Sequence, residues 1–244
     1  MKKGTFLPGT LIPLFAAFLV FSCATVRPGD IGALIQDLPR HNSFEYITRR
    51  SLPEGYFEAA YGALEDPGVY IVLSDTGSPA SRVIGLFTAS PYNHVSLSFD
   101  SALKTLVSYN GGNGISSPGL NAEYPEHLNR KPGAALMVYR LETAPGQKRA
   151  LIGRVAAINR EGSSYNLLGL FTKKSKLPNI MFCSQFVYTV LEDTGAAYFN
   201  KKNGEVRPMD FVNLARGGRL KFARRIPLNR SDGGPVGRKF VFDS

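Results

Sequence analysis

Two residues of this chain have the chemistry of a nucleophile and its base. Cys183 is the second residue of the segment 182–191 (FCSQFVYTVL), whose apolar spacing predicts an amphipathic helix starting near the thiol. The unpaired N–H groups and the dipole at a helix N-terminus stabilise a thiolate. His94 begins the segment 94–99, in which polar and apolar residues alternate as in a strand. A thiolate beside an imidazole predicts covalent catalysis on acyl groups.

His94 is the base best placed by the pattern. The chain has 3 histidines, and His41 and His127 lie in polar, irregular segments. A strand histidine is also common as a packed or surface residue, and a free cysteine is often only part of a core. Both ordinary interpretations stay open at this stage. The scattered histidines and the thiol of Cys183 do not have the sequence spacing of metal ligands, so neither a metal nor another cofactor is predicted.

A hairpin of the segments 94–99 and 105–110 predicts a third site residue. One register places apolar side chains together on a single face, and it pairs Phe99 with Thr105, Leu97 with Val107 and Val95 with Tyr109. The opposite face then carries Asn110 across from His94. A polar neighbour can fix the tautomer and orientation of an imidazole. We therefore expect Asn110 to orient His94, with Ser108 as the alternative.

The N-terminus predicts export. Lys2 and Lys3 precede an apolar run at 11–21, which is shorter than the ~20 residues of a membrane span. The segment 20–23 (VFSC) resembles the bacterial lipobox, which predicts a signal peptide over 1–22 and lipidation of Cys23. An ordinary cleaved signal is the alternative.

Lipidation of Cys23 has two consequences. It places the mature chain in the bacterial cell envelope, lipid-anchored to an inner or outer membrane that the sequence does not specify. It also leaves Cys183 without a disulfide partner, because the chain has 2 cysteines. An unpaired cysteine in an exported protein indicates a reactive thiol.

The chain of 244 residues predicts one compact α+β domain. We expect a tether over 23–55, the domain over 56–228 and a basic flexible tail over 229–244. The predicted strands are 68–73, 94–99, 105–110, 134–141 and 220–226. The predicted helices are 31–38, 78–88, 147–159, the segment that follows Cys183, and 209–214.

Positive charge is concentrated late in a chain whose formal net charge is +10. The cations there are Arg216, Arg219, Lys221, Arg224, Arg225, Arg230, Arg238 and Lys239. In an exported protein this favours anionic partners such as phospholipid headgroups or wall polymers. A merely solvated basic edge is the alternative. Nucleic acid is disfavoured because export removes the chain from the cytoplasm and no aromatic-basic motif is present. The sequence does not indicate an oligomeric state.

Several segments together resemble a known family. They are 73–75 (LSD), 81–88 (SRVIGLFT), 90–96 (SPYNHVS), Tyr165 with 168–170 (LGL), and 182–187 (FCSQFV). They are similar to segments of the circularly permuted papain-like proteins, a group that includes YiiX-like amidases and relatives of NlpC-type cell-wall peptidases and of lecithin:retinol acyltransferases. In the permuted group the histidine strand precedes the cysteine helix, as it does here.

The resemblance implies an antiparallel sheet packed on helices and a cysteine hydrolase or acyltransferase. Cys183 would be the nucleophile, His94 the base, and the N–H groups at the start of the cysteine helix would hold the oxyanion. The third residue varies among relatives, so Asn110 and Ser108 both stay open. Implied substrates are peptidoglycan stem peptides, other peptide amides or lipid acyl groups. Because a fold does not confer chemistry, a non-catalytic binding lipoprotein is the alternative.

Overall fold

The computed structural model describes residues 48–75, 92–112, 117–128, 134–166 and 179–228. Several predictions lie outside these residues: the signal peptide, Cys23, the helices at 31–38 and 78–88, and the tail at 229–244.

The described chain is an α+β structure built on a six-stranded antiparallel sheet. Its strands are β1 (Val69–Ser74), β2 (His94–Ser98), β3 (Val107–Asn110), β4 (Gly119–Ala122), β5 (Ala135–Leu141) and β8 (Leu220–Pro227), in the spatial order β4-β3-β2-β1-β5-β8. Two further strands form a short parallel pair, β6 (Ser164–Tyr165) with β7 (Ile180–Met181). The predicted α+β class, with an antiparallel sheet packed on helices, is therefore confirmed.

Helices pack with the sheet. They are α1 (Tyr56–Gly62), α2 (Pro145–Glu161), α3 (Cys183–Asp193) and α4 (Asp210–Asn213), with 3₁₀ turns at Pro125–Leu128 and Asn203–Glu205. The main core joins apolar side chains of β1 to β4 with those of α2 and α3. A smaller core on Val72, Leu106 and Val138 forms separately. No helix within the described ranges has the length and apolar character needed to cross a membrane.

The hairpin forms in the register that the alternating pattern predicts, with Leu97 paired to Val107. Leu97 and Val107 are fully buried in the main core. A slip by one residue would move these apolar side chains to the other face and bring serines into the core. The same register fixes which face of β2 carries His94.

The helix after Cys183 also forms as the apolar spacing predicts. Its buried stripe consists of Phe186, Val187, Val190 and Leu191, all with 0% exposure. The helix ends where expected, because Gly195 adopts φ +66° and the N–H of Ala196 returns to the Leu191 carbonyl at 2.7 Å. The ring of Phe186 stacks on Tyr109 with centroids 4.8 Å apart. This contact holds α3 against the hairpin.

Gly119, the first residue of β4, provides a test of how closely β4 packs against Ser163. Its φ is +127°, and an added Cβ would lie 2.7 Å from Ser163 Oγ, which accepts a hydrogen bond from the Leu120 N–H. We expect Gly119→Ala to lower the free energy of unfolding by about 3 kcal/mol, because strain and crowding act together. Urea denaturation measures the change.

Gly153→Ala is the matched control. Gly153 lies inside α2, and apart from its chain neighbours and the backbone of its own helix no atom lies within 4 Å of the position its Cβ would take. Alanine there should raise the free energy of unfolding by about 0.5–1 kcal/mol. Equal effects of the two substitutions would contradict the tight packing assigned to Gly119.

Candidate active site

Cys183 is the first residue of α3 and is separated from the end of β7 by Phe182 alone. Phe182 is the N-cap in extended conformation, and no side chain caps the helix. The first helical hydrogen bond runs from the Phe186 N–H to the Phe182 carbonyl at 2.9 Å. Among the described residues, the N–H groups of Cys183, Ser184 and Gln185 have no acceptor. The helix therefore offers unpaired donors beside the thiol.

The first turn of α3 is more enclosed than its sequence indicates. Polar side chains at the start of a helix are usually exposed, but here Ser184 is 1% and Gln185 8% exposed. Ser184 Oγ donates to the Val206 carbonyl at 2.7 Å and so faces the interior. Cys183 itself is 3% exposed.

His94 lies between a carboxylate and the thiol. Its Nε2 is 2.9 Å from Glu123 Oε1 and 3.0 Å from Oε2. Cys183 lies on another side of the ring, near enough to raise the pKa of the imidazole. Because Glu123 occupies Nε2, Nδ1 is the ring nitrogen left for the sulfur. Glu123, His94 and Cys183 thus lie next to one another in that order.

Charge governs the protonation of His94. Burial alone lowers the pKa of the imidazole, but the Glu123 carboxylate, the negative charge of Cys183 and hydrogen bonds to both raise it well above its ordinary value. The net direction is upward. The protonated ring is therefore favoured between its two acidic neighbours.

Glu123 is held as a carboxylate by donors on both oxygens. Burial raises its pKa, while the His94 charge and hydrogen bonds from His94, Ser96 and Asn110 lower it below the ordinary value overall. Ser96 Oγ donates to Oε2 at 2.6 Å, and Asn110 Nδ2 to Oε1 at 3.1 Å. The Glu123 N–H donates to the Leu106 carbonyl at 2.8 Å, which fixes the residue just beyond β4.

The residue bound to the His94 ring is therefore Glu123, whereas Asn110 or Ser108 was expected beside it. Asn110 lies across from His94, but its amide donates to the carboxylate and so reaches the ring only through Glu123. Ser108 Oγ donates to the Val95 carbonyl at 2.7 Å and is used by the backbone. The carboxylate is the better partner for the His94 ring because it is charged and can accept hydrogen bonds from several donors at once.

The sequence carried one signal for Glu123. It is the only acidic residue between Asp100 and Glu126. A buried imidazolium needs a counter-charge, and Glu123 alone in that stretch could supply one. The signal was missed because the four-residue strand β4 is too short to show clear alternation.

Tyr165 brings a phenol to the same site. The residue is 7% exposed, and the pairing of Tyr165 with Met181 sets it beside the strand that leads into Cys183. Burial raises the pKa of the phenol first, and negative charge at Cys183 and Glu123 raises it further. The hydroxyl therefore keeps its proton and can act as a hydrogen-bond donor.

No group of three or more histidine, cysteine, aspartate or glutamate residues suited to a metal ion occurs in the described ranges. Comparison of the chain with protein-family models, with curated proteins and with solved structures found no match.

Replacing Glu123 with Gln tests the assigned geometry. The substitution keeps the shape but removes the charge, so we expect the pKa of His94 to fall and a smaller share of the ring to be protonated at neutral pH. An NMR titration of labelled histidine measures this, with His94→Gln identifying the resonance.

Ser108→Ala is the matched control, since its hydroxyl binds only backbone. It should leave the His94 titration almost unchanged. A titration that responds to Ser108→Ala and ignores Glu123→Gln would contradict the arrangement.

Proposed function

We propose that this protein is a cysteine hydrolase or acyltransferase that cleaves an amide or ester bond through an acyl-cysteine intermediate. The observation that carries the proposal is the buried group of Glu123, His94 and Cys183, which lie next to one another in that order. Cys183 is also the first residue of a helix that no side chain caps. A nucleophile in contact with its base, and a base oriented by a third group, is the arrangement that such chemistry requires.

The first half-reaction forms the intermediate. The Cys183 thiolate attacks the carbonyl carbon, and the new oxyanion accepts hydrogen bonds from N–H groups at the start of α3. The tetrahedral species then collapses, and the leaving amine or alcohol takes the proton of the His94 imidazolium. Acyl-cysteine and neutral His94 remain.

The second half-reaction restores the enzyme. Neutral His94 takes a proton from water, or from an acceptor hydroxyl or amine, whose oxygen or nitrogen attacks the acyl carbon. Collapse expels the Cys183 thiolate and releases an acid or a transferred acyl product. Glu123 stabilises the imidazolium that forms again. Hydrolysis and transfer thus differ only in the acceptor.

The permuted papain-like fold is the architecture we propose for this site. The antiparallel sheet, the histidine strand before the cysteine helix and the resemblance of the quoted segments support it. The proposed setting is the bacterial envelope, with the lipid on Cys23 as anchor. Peptidoglycan stem peptides, other peptide amides and lipid acyl groups are the proposed substrate classes.

A second candidate function is a binding lipoprotein that uses the same fold without catalysis. The burial of Cys183, at 3% exposure, favours it, because a substrate carbonyl must reach the sulfur. The contact of His94 with the thiol favours the enzyme. Acylation of the thiol distinguishes the two.

We expect wild-type protein treated with p-nitrophenyl acetate to release nitrophenolate and to gain one acetyl group at Cys183. Cys183→Ala should lose both, and His94→Ala should slow acylation by roughly 100-fold or more. Absorbance and intact-mass measurement after an acid quench report the two events.

Cys23→Ser, which removes the other thiol, should retain the adduct. Equal nitrophenolate release by wild type and Cys183→Ala, with no adduct, would support the binding protein.

A further inference from the structure

Strand β8 forms an exposed basic edge of the sheet. Its residues 221–225 are all exposed, and within the described ranges no strand pairs with its outer side. The segment 214–228 contains no acidic residue. It carries Arg216, Arg219, Lys221, Arg224 and Arg225.

The surrounding structure neutralises little of this charge. Lys221 Nζ contacts Glu142 Oε1 at 2.6 Å, and Arg140 shares the same carboxylate at 3.4 Å. Arg219 donates to the Glu142 backbone carbonyl, and Arg224 to the Ser101 carbonyl, so neither meets an acid there. The hydrogen bond from Lys221 holds the pKa of Glu142 below its ordinary value, so this carboxylate is ionised. A surplus of positive charge remains along the strand.

An aromatic ring stands among these cations. Phe222 is 55% exposed, and the other exposed large apolar side chain of the described residues is Tyr61 at 38%. The Phe222 ring meets Tyr139 edge to face, with centroids 5.5 Å apart. Aromatic rings flanked by lysine and arginine suit the boundary between lipid headgroups and acyl chains, where cations meet phosphate and the ring leaves water.

We propose that the β8 face, comprising β8 and the preceding residues Arg216 and Arg219, docks on the anionic headgroup layer of a phospholipid bilayer. Charge complementarity selects an anionic partner. Phe222 selects a bilayer over a soluble polyanion, because only the bilayer offers an apolar layer behind its charges. A second copy of the chain is disfavoured, since aligned cations on two edges repel each other.

The docking face would complement an N-terminal anchor. Membrane signals on one protein act together, and a basic patch is a common second signal beside a lipid. The apolar run at 11–21 and Cys23 are the predicted first signal in this sequence. This proposal involves neither Cys183 nor His94, so it stands apart from the catalytic one.

The absence of tryptophan from the chain permits a local test. Phe222→Trp in the full-length protein introduces a single reporter on the β8 face. Its emission should shift to shorter wavelength with vesicles of phosphatidylglycerol and phosphatidylcholine, and stay unchanged with phosphatidylcholine alone. Tyr61→Trp, on α1, is the matched reporter and should not respond. Because the reporter is local, association through the N-terminus does not produce the signal.

Charge reversal completes the test. In the Phe222→Trp protein, Arg224→Glu with Arg225→Glu should weaken the vesicle response by at least roughly 30-fold in lipid concentration. Arg149→Glu with Arg160→Glu, exposed on α2, changes the net charge equally and should have little effect. An unshifted emission, an equal response at Tyr61→Trp, or an equal shift with soluble polyphosphate would overturn the proposal.

Discussion

The buried ion pair between Glu123 and His94 is the interaction on which the site depends. Removing two charges from water is costly, and breaking such a pair by deleting one partner typically costs about 3–5 kcal/mol. Here the cost is offset because the donors Ser96 and Asn110 complete the carboxylate's hydrogen bonds. The pair is best stabilised when all these groups are held together, so the sheet must position them with little freedom.

The architecture meets this requirement by placing rigid elements around one point. His94 and Ser96 come from β2, Asn110 from β3, and Glu123 from the end of β4. The thiol arrives from the other side, on a helix whose apolar stripe packs against β2 and β3. Because side chains on regular elements are fixed by core packing, the hydrophobic pattern of the hairpin and helix determines the geometry of the polar site.

Much of this could be predicted from local pattern. Alternation was enough for the hairpin and its Leu97–Val107 pair, and the apolar stripe with Gly195 was enough for α3. Glu123 could not be found that way, because its role depends on contacts between residues far apart in sequence, and β4 is too short to carry a clear period. The enclosure of Ser184 likewise depends on a distant contact, since its partner, Val206, lies 22 residues away.

The most direct test of the coupled site is the rate of iodoacetamide alkylation at Cys183 as a function of pH. A thiolate stabilised by the His94 imidazolium should be alkylated readily at neutral pH. His94→Ala should sharply reduce the rate at neutral pH, and Glu123→Gln should reduce it less. Cys23→Ser restricts the signal to Cys183. Slow alkylation that follows an ordinary thiol profile and ignores His94→Ala would contradict the coupled pair.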